Sequence, residues 1–234
     1  MKEANANGDN KKKHSLILKL MIFIGVAITS INLLQGLILS VDLKKTILKD
    51  DLNKYSNIVH AYVISIEEQF ESYFSALDYY VNADIVQSGD EETIIEWLYD
   101  HVGERNSVFT RILWCGQDGI YYSDDRKSGN IADRSYFKAI FNQNMDRFID
   151  DPVISRSDNS PVVHITRRVT VGGKTLGLFC GVLTLDYINS TINNIKVGES
   201  GYAIMIANDG TVMAHPNTSY IMNNNFITGL SKGF

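Results

Sequence analysis

Two cysteines, Cys115 and Cys180, are too few for a disulfide framework, and neither has a CxxC spacing. Both lie in apolar, strand-like runs, which reads as two small buried thiols, or as one bridge between neighbouring strands in an oxidising compartment. The histidines His14, His60, His101, His164 and His215 are scattered without zinc-like spacing. GxSxG, the Walker loop, GxGxxG and HExxH are all missing, so no catalytic chemistry and no cofactor are expected within these residues. Asp146, Asp150 and Asp151 lack the glycine and spacing of an EF-hand, so no metal site is expected either. A basic folded face is lacking too. Residues 1–19 carry five lysines against Glu3 and Asp9, a balance of +3 that leaves −8 for the rest of a chain whose net charge is −5. That asymmetry excludes nucleic acid as a partner.

Charge is absent from Leu20 to Val41, a run of 22 residues. As a helix it spans roughly 33 Å, against about 30 Å of bilayer hydrocarbon. A cleaved signal peptide would have a shorter apolar region ending in a small-x-small site, which is not evident here. The run therefore reads as a transmembrane helix. Residues 1–15 are polar, lysine-rich and expected to be unstructured, and Lys11–Lys13 with Lys19 place the N-terminal tail (1–19) in the cytoplasm, so the rest emerges outside the membrane. Glycine and proline are both absent from 42–81. Leu48, Leu52, Tyr55, Val59, Tyr62, Ile66, Phe70, Tyr73 and Leu77 recur in steps of three and four, one helix face sustained over many turns. Such a helix is either a coiled-coil dimer seam or a spine for small domains.

Beyond it the period changes. A short helix over Asp90–Gly103 precedes strands at Val108–Cys115 and Ile120–Ser123, joined by Gln117-Asp118-Gly119. Three further strands are predicted, at Phe148–Ser155, Pro161–Val171 and Leu176–Leu185, then a helix over Asp186–Ile195. The alternation in Pro161–Val171 puts Val163, Ile165, Val169 and Val171 on one face and His164, Thr166 and Arg168 on the other. Leu176–Leu185 is nearly all apolar, as a central strand would be. Antiparallel hairpins mixed with helices make the fold α+β. The strand, Asp-Gly, strand layout of 112–122 returns at 202–213, 91 residues later by its Asp-Gly pairs. This predicts a second domain of similar plan, of which the chain holds only the start.

Between the strands lies Gly129–Ser155. Here Asp133-Arg134-Ser135-Tyr136-Phe137 opens a short helix, and Asp150-Asp151-Pro152 feeds a strand. Arg134 offers a planar fork for a carboxylate, Tyr136 and Phe137 could box an apolar or cationic group, and Asp151 could pair with an amine. Trp114, Tyr121 and His164 could line the sheet side. Against this, an Asp-Arg pair at a helix start often only caps it, and aromatics often only fill a core.

Four stretches in this order after a membrane helix resemble the N-terminal part of a double Cache (dCache) sensor domain. They are Asp133 to Lys138, Phe148 to Ser155, Ser160 to Ile165, and Gly198 to Tyr202 continuing through Asp209 to Pro216. The tail through Ile221–Phe226 is most similar to methyl-accepting chemotaxis proteins. The resemblance implies two PAS-like subdomains beside a long N-terminal helix, with ligand held by the membrane-distal one. It also implies a second membrane helix and a cytoplasmic output region. Amino-acid-binding members use Arg-x-Trp-Tyr plus an acidic residue on the last distal strand. Arg134, Tyr136 and Phe137 match the first part, whereas the acidic position is Val182 and an aromatic expected after Pro152 is Val153.

The expected organisation is a cytoplasmic tail (1–19), a transmembrane helix (20–41), a long sensor helix (42–81), a membrane-distal PAS-like subdomain (82–195) and the start of a membrane-proximal one (196–234). The expected function is extracytoplasmic sensing of a small polar ligand, a carboxylate or other small metabolite, by a homodimeric chemoreceptor that reaches cytoplasmic signalling partners. Alternatives are the sensor of a histidine kinase or diguanylate cyclase, and an anchored binding protein without output.

Overall fold

The computed structural model describes residues 3–198 and 201–224, with side chains from Lys19 onward. Glu199-Ser200 and the Asn225-Phe226 end of the tail pattern lie outside the described residues. The chain divides into two units, residues 1–59 and 60–234.

The first unit is helical and belongs to α1 (Glu3–Val81). The helix begins at Glu3, so the polar tail expected to be unstructured is helical here; extending an established helix costs far less than nucleating one. Among the described residues one helix is long and apolar enough to cross a membrane. Its hydroxyls suit that medium. Thr29 donates to the Gly25 carbonyl at 3.0 Å, Ser30 to Val26 at 2.7 Å and Ser40 to Leu37 at 2.8 Å, so each is satisfied within the helix.

In the second unit the stripe read from the sequence divides. Tyr62 is still exposed, Ile66 and Phe70 are half-buried, and Tyr73, Phe74, Leu77 and Tyr80 sit in a core. Two short helices follow, α2 (Asp84–Gln87) and α3 (Glu91–Asp100), the latter capped by Asp90 accepting from the Thr93 amide.

A sheet is built from β1 (Arg111–Gly116), β2 (Ile120–Ser123), β3 (Ser128–Asn130), β4 (Arg147–Ile149), β5 (Val153–Ile154), β6 (Pro161–Val171) and β7 (Lys174–Thr184), with α4 (Ser135–Phe141) between β3 and β4. Its order is β3-β2-β1-β7-β6-β4, with β5 also on β6, and every pairing is antiparallel. The β6–β7 turn is Gly172-Gly173, with φ of 56° and 78°, the two left-handed positions a two-residue hairpin demands. β7 is central, as its apolar sequence implied. On one of its faces Gly177 and Gly181 alternate with Phe179 and Leu183, leaving room for the Trp114 and Phe109 rings.

The sheet buries both faces. Ile112, Trp114, Val163, Ile165, Val169, Phe179 and Leu183 meet Tyr73, Leu77 and Tyr80 of α1 together with α3 and α5 (Leu185–Asn193). Leu113, Cys115, Leu178, Cys180 and Val182 meet Tyr136, Phe137 and Ile140 of α4. Both cysteines are free, and burial pushes their thiols up, so they are inert core residues.

The continuous strand predicted over Phe148–Ser155 is instead two. Asp150 turns its carboxylate onto the His164 amide at 2.6 Å, and Pro152 has no amide to donate, so pairing stops between β4 and β5.

The remaining strands are β8 (Lys196–Val197), β9 (Gly201–Tyr202), β10 (Met205–Ile206) and β11 (Val212–Ala214). The internal repeat holds at its turns. Asp118 and Asp209 each accept from the amide two residues on, at 2.9 Å, and Gly119 and Gly210 have φ of 78° and 87°.

Candidate ligand-binding site

Three elements meet above the α4 face of the sheet. The floor is a row across three strands: Arg111 on β1 pairs with Val182 on β7, and Val182 pairs with His164 on β6. The start of α4 supplies Arg134 and Tyr136 as one wall. The segment after β5 supplies Ser155, Arg156 and Ser157, and Tyr121 of β2 completes the rim, with Leu113 and Ile131 between. The enclosed space is ≈ 30 Å³, room for a few waters and far below the ~300–1,000 Å³ of occupied ligand pockets.

Each floor residue is fixed. Arg111 is 7% exposed and donates from Nε to both oxygens of Asp125 at 3.1 Å, while its outer edge lies 3.7 Å from Asp158. His164 places Nδ1 2.7 Å from Oδ2 of Asp150, which is itself buried, and its ring stacks on Tyr136 with centroids 4.5 Å apart. Burial drives the Tyr136 hydroxyl far above its ordinary value, so the ring is a neutral wall.

The rim carboxylates are occupied. Arg156 grips Asp133 with two bonds, at 2.9 and 2.5 Å, and holds its carboxyl down at about 2. Ser160 and Ser155, with Arg111, hold Asp158 at about 2. Burial pushes Asp125 up, but Ser123, Lys127 and Arg111 overcome it and keep its carboxyl below the usual range. Arg134 differs. It is the N-cap of α4 yet makes no capping bond with its side chain; its guanidinium donates to the Ile154 carbonyl at 3.3 Å and, among the described residues, pairs with no carboxylate. The capping explanation for the Asp-Arg pair does not apply here.

Of the residues singled out from sequence, Arg134, Tyr136, Tyr121 and His164 line one cleft. Three do not. Trp114 faces the opposite side of the sheet, where Nε1 donates to Glu91 at 2.9 Å. Phe137 packs into the core beside Phe141. Asp151 is exposed at the bend after β4, and the inward carboxylate is its neighbour Asp150. Sequence reasoning missed Arg111, Ser155, Arg156 and Ser157. Arg111 had one accessible signal, a lone cation opening an apolar strand.

A Cache-domain family model matches residues 44–232. The chain belongs to the Cache-domain family. Methyl-accepting chemotaxis protein TlpA of Bacillus subtilis is 24% identical over 207 residues, 86% of this chain and 30% of that protein. McpA of the same organism is 28% identical over 88 residues, 38% of this chain and 13% of its own length. The chain thus spans less than a third of the length of these relatives. Among solved structures, the ligand-binding domain of the Pseudomonas fluorescens chemoreceptor CtaA, in complex with L-isoleucine, superposes with a TM-score of 0.65 at 15% identity, covering 77% of this chain and 75% of that one. The extracellular domain of the histidine kinase mmHK1S-Z3 gives 0.53 at 12%, covering 74% and 73%. At these identities the likeness is one of fold: a long helix, an antiparallel sheet with flanking helices, and the Cache arrangement.

Proposed function

We propose that this Cache domain is the sensory portion of a bacterial chemoreceptor, anchored in the inner membrane by the 20–41 helix with its N-terminus inside. It takes up a small polar molecule outside the cell. The observation that carries the reading is Arg134, a cation without a carboxylate partner that lines the cleft of a sensor fold. Its planar fork suits a ligand carboxylate, and Tyr136 and Tyr121 bound the space beside it. The cleft as it stands is too small for a metabolite. Binding therefore requires Arg156 and Ser157 on the segment after β5 to move outward to admit the ligand and then to close over it.

Ligand binding to the folded state raises stability by mass action, about 2.7 kcal/mol at a hundredfold excess over Kd. The Arg134→Ala chain should keep its fold and lose that stabilisation, read as the shift in thermal midpoint with an extract of small metabolites. An undiminished shift in the variant would remove the cleft from consideration.

The similarity to mmHK1S-Z3 favours a second reading, the sensor of a histidine kinase. The coding sequence downstream of Phe234 separates the two: long helical heptads for a chemoreceptor, a compact α/β catalytic domain for a kinase.

A further inference from the structure

The charges of the cleft define its ligand more narrowly than the word polar does, on the reading that this cleft is the sensory site. Its cationic lining residues are Arg111, Arg134 and Arg156, joined by the imidazole of His164, with no carboxylate among them. The neighbouring acids stand behind these cations, Asp125 and Asp158 on Arg111, Asp133 on Arg156, and Asp150 on His164. None of the four lines the cleft to receive an ammonium group. The floor position between the two basic side chains is Val182, 3% exposed, which offers only methyl groups.

Two places in the cleft accept negative charge. One is Arg134. The other is the outer edge of Arg111, whose Nε is committed to Asp125 but whose Nη2 has only a long contact of 3.7 Å to Asp158, a side chain 47% exposed. A pair so loose and so wet is worth little, and a better-placed carboxylate displaces it. His164 stands across Val182 from Arg111, two strand spacings or about 10 Å apart across the sheet. Its Nδ1 is engaged by Asp150, which fixes the ring and leaves Nε2 as its free polar atom. Tyr121 and Tyr136 are the other titratable groups on the cleft, and Cys180 lies beneath in the core.

We propose that the ligand is a short dianion, two carboxylates or equivalent oxyanions on an apolar linker. One end lies on Arg134 and the other on Arg111 and His164, and the linker lies over Val182, Leu113 and Ile131. A monoanion leaves Nη2 of Arg111 and Nε2 of His164 without a close hydrogen-bond partner when the cleft closes over them. An amino acid brings a cation to a lining that has three arginines and no acid.

The test uses the full chain in lipid nanodiscs and titration calorimetry with malonate, succinate, butyrate and 4-aminobutyrate, the last three differing only at the far end of a four-carbon chain. Malonate or succinate should bind at least tenfold tighter than butyrate or 4-aminobutyrate. Arg111→Gln should bring the diacid to the level of butyrate and leave butyrate unchanged. Butyrate or 4-aminobutyrate binding as tightly as the diacids overturns the proposal, as does binding of neither diacid. The wild-type series decides this whether or not the Arg111 variant folds. Arg134→Ala separates the two levels. Binding of any probe that this variant abolishes keeps the cleft as the sensory site, and binding that it leaves intact removes the cleft as well.

Discussion

Single side chains around the cleft are set against one another as acid–base pairs, and this fixes how the molecule responds to pH. Asp133 and Asp158 are held at about 2, against an unfolded carboxylate near 4. A folded value below the unfolded one means these groups add stability above about pH 4, and lose it as pH falls toward 2. Asp124 works in the opposite sense. Burial raises its carboxyl despite the Arg105 guanidinium at 2.5 Å, so its protonation adds stability as pH falls toward about 4 and is complete before the rim pairs are lost. The net expectation is a thermal midpoint that drops between about pH 4 and pH 2. The double variant Asp133→Asn/Asp158→Asn should drop less steeply; an identical profile would show that these rim pairs do not contribute. At this scale the sequence was legible in part. Arg134, Tyr136 and Tyr121 could be found because a short polar motif opening a helix and a strand after a tight turn mark places where polar groups gather, even though Tyr136 itself is buried and the other two are half-buried. Trp114 and Asp151 could not be placed, each being one residue from the right face. In Arg111–Gly116 both faces are buried, so no polar–apolar alternation says which of Leu113 and Trp114 looks at the cleft. Asp150 and Asp151 are chemically identical, and only the hydrogen bond to His164 distinguishes them.

Among the elements, the 42–81 part of α1 and most of β6 could be read almost residue by residue, because the first keeps its stripe to its end and the second alternates as far as the register shift at Val169/Thr170, and each ends on a clear signal. Val81 closes the stripe of α1, while Pro161 and Gly172 bound β6. The split between β4 and β5 could not, since it depends on a side chain competing for a backbone amide across the sheet. These elements are joined in two ways. Leu77, fully buried, packs α1 onto the sheet, and Leu77→Ala should cost about 2–5 kcal/mol, measured by denaturant unfolding. Arg167 on β6 binds Asp78 at 2.6 Å, and Arg147 on β4 binds Glu71 at 2.5 Å. Both pairs are partly solvated and worth no more than about 1 kcal/mol each. We therefore expect Asp78→Asn to unfold within about 1 kcal/mol of the parent while weakening ligand-dependent signalling in a chemotaxis assay. Wild-type signalling in that variant would show that the pair carries no coupling.

For the whole molecule, the exposed stripe of Leu48, Leu52, Tyr55 and Val59 is the feature left without cover, and we expect a second copy of the chain to supply it. Leu52→Cys should cross-link in membranes under mild oxidation, whereas Lys54→Cys, about 200° away around the helix, should not; equal cross-linking at both would argue against a defined seam. The two buried native thiols do not interfere. The alternation of β6 has a last consequence. Up to the register shift at Val169/Thr170, its even-numbered residues, Val162 and His164 among them, lie on the α4 face, where His164 lines the cleft, and its odd-numbered residues, Val163, Ile165, Arg167 and Val169, look toward α1. If the cleft is the sensory site, what is recognised and how recognition is reported are written in alternate letters of one strand, so a lineage could revise its chemical vocabulary while leaving the grammar of its response untouched.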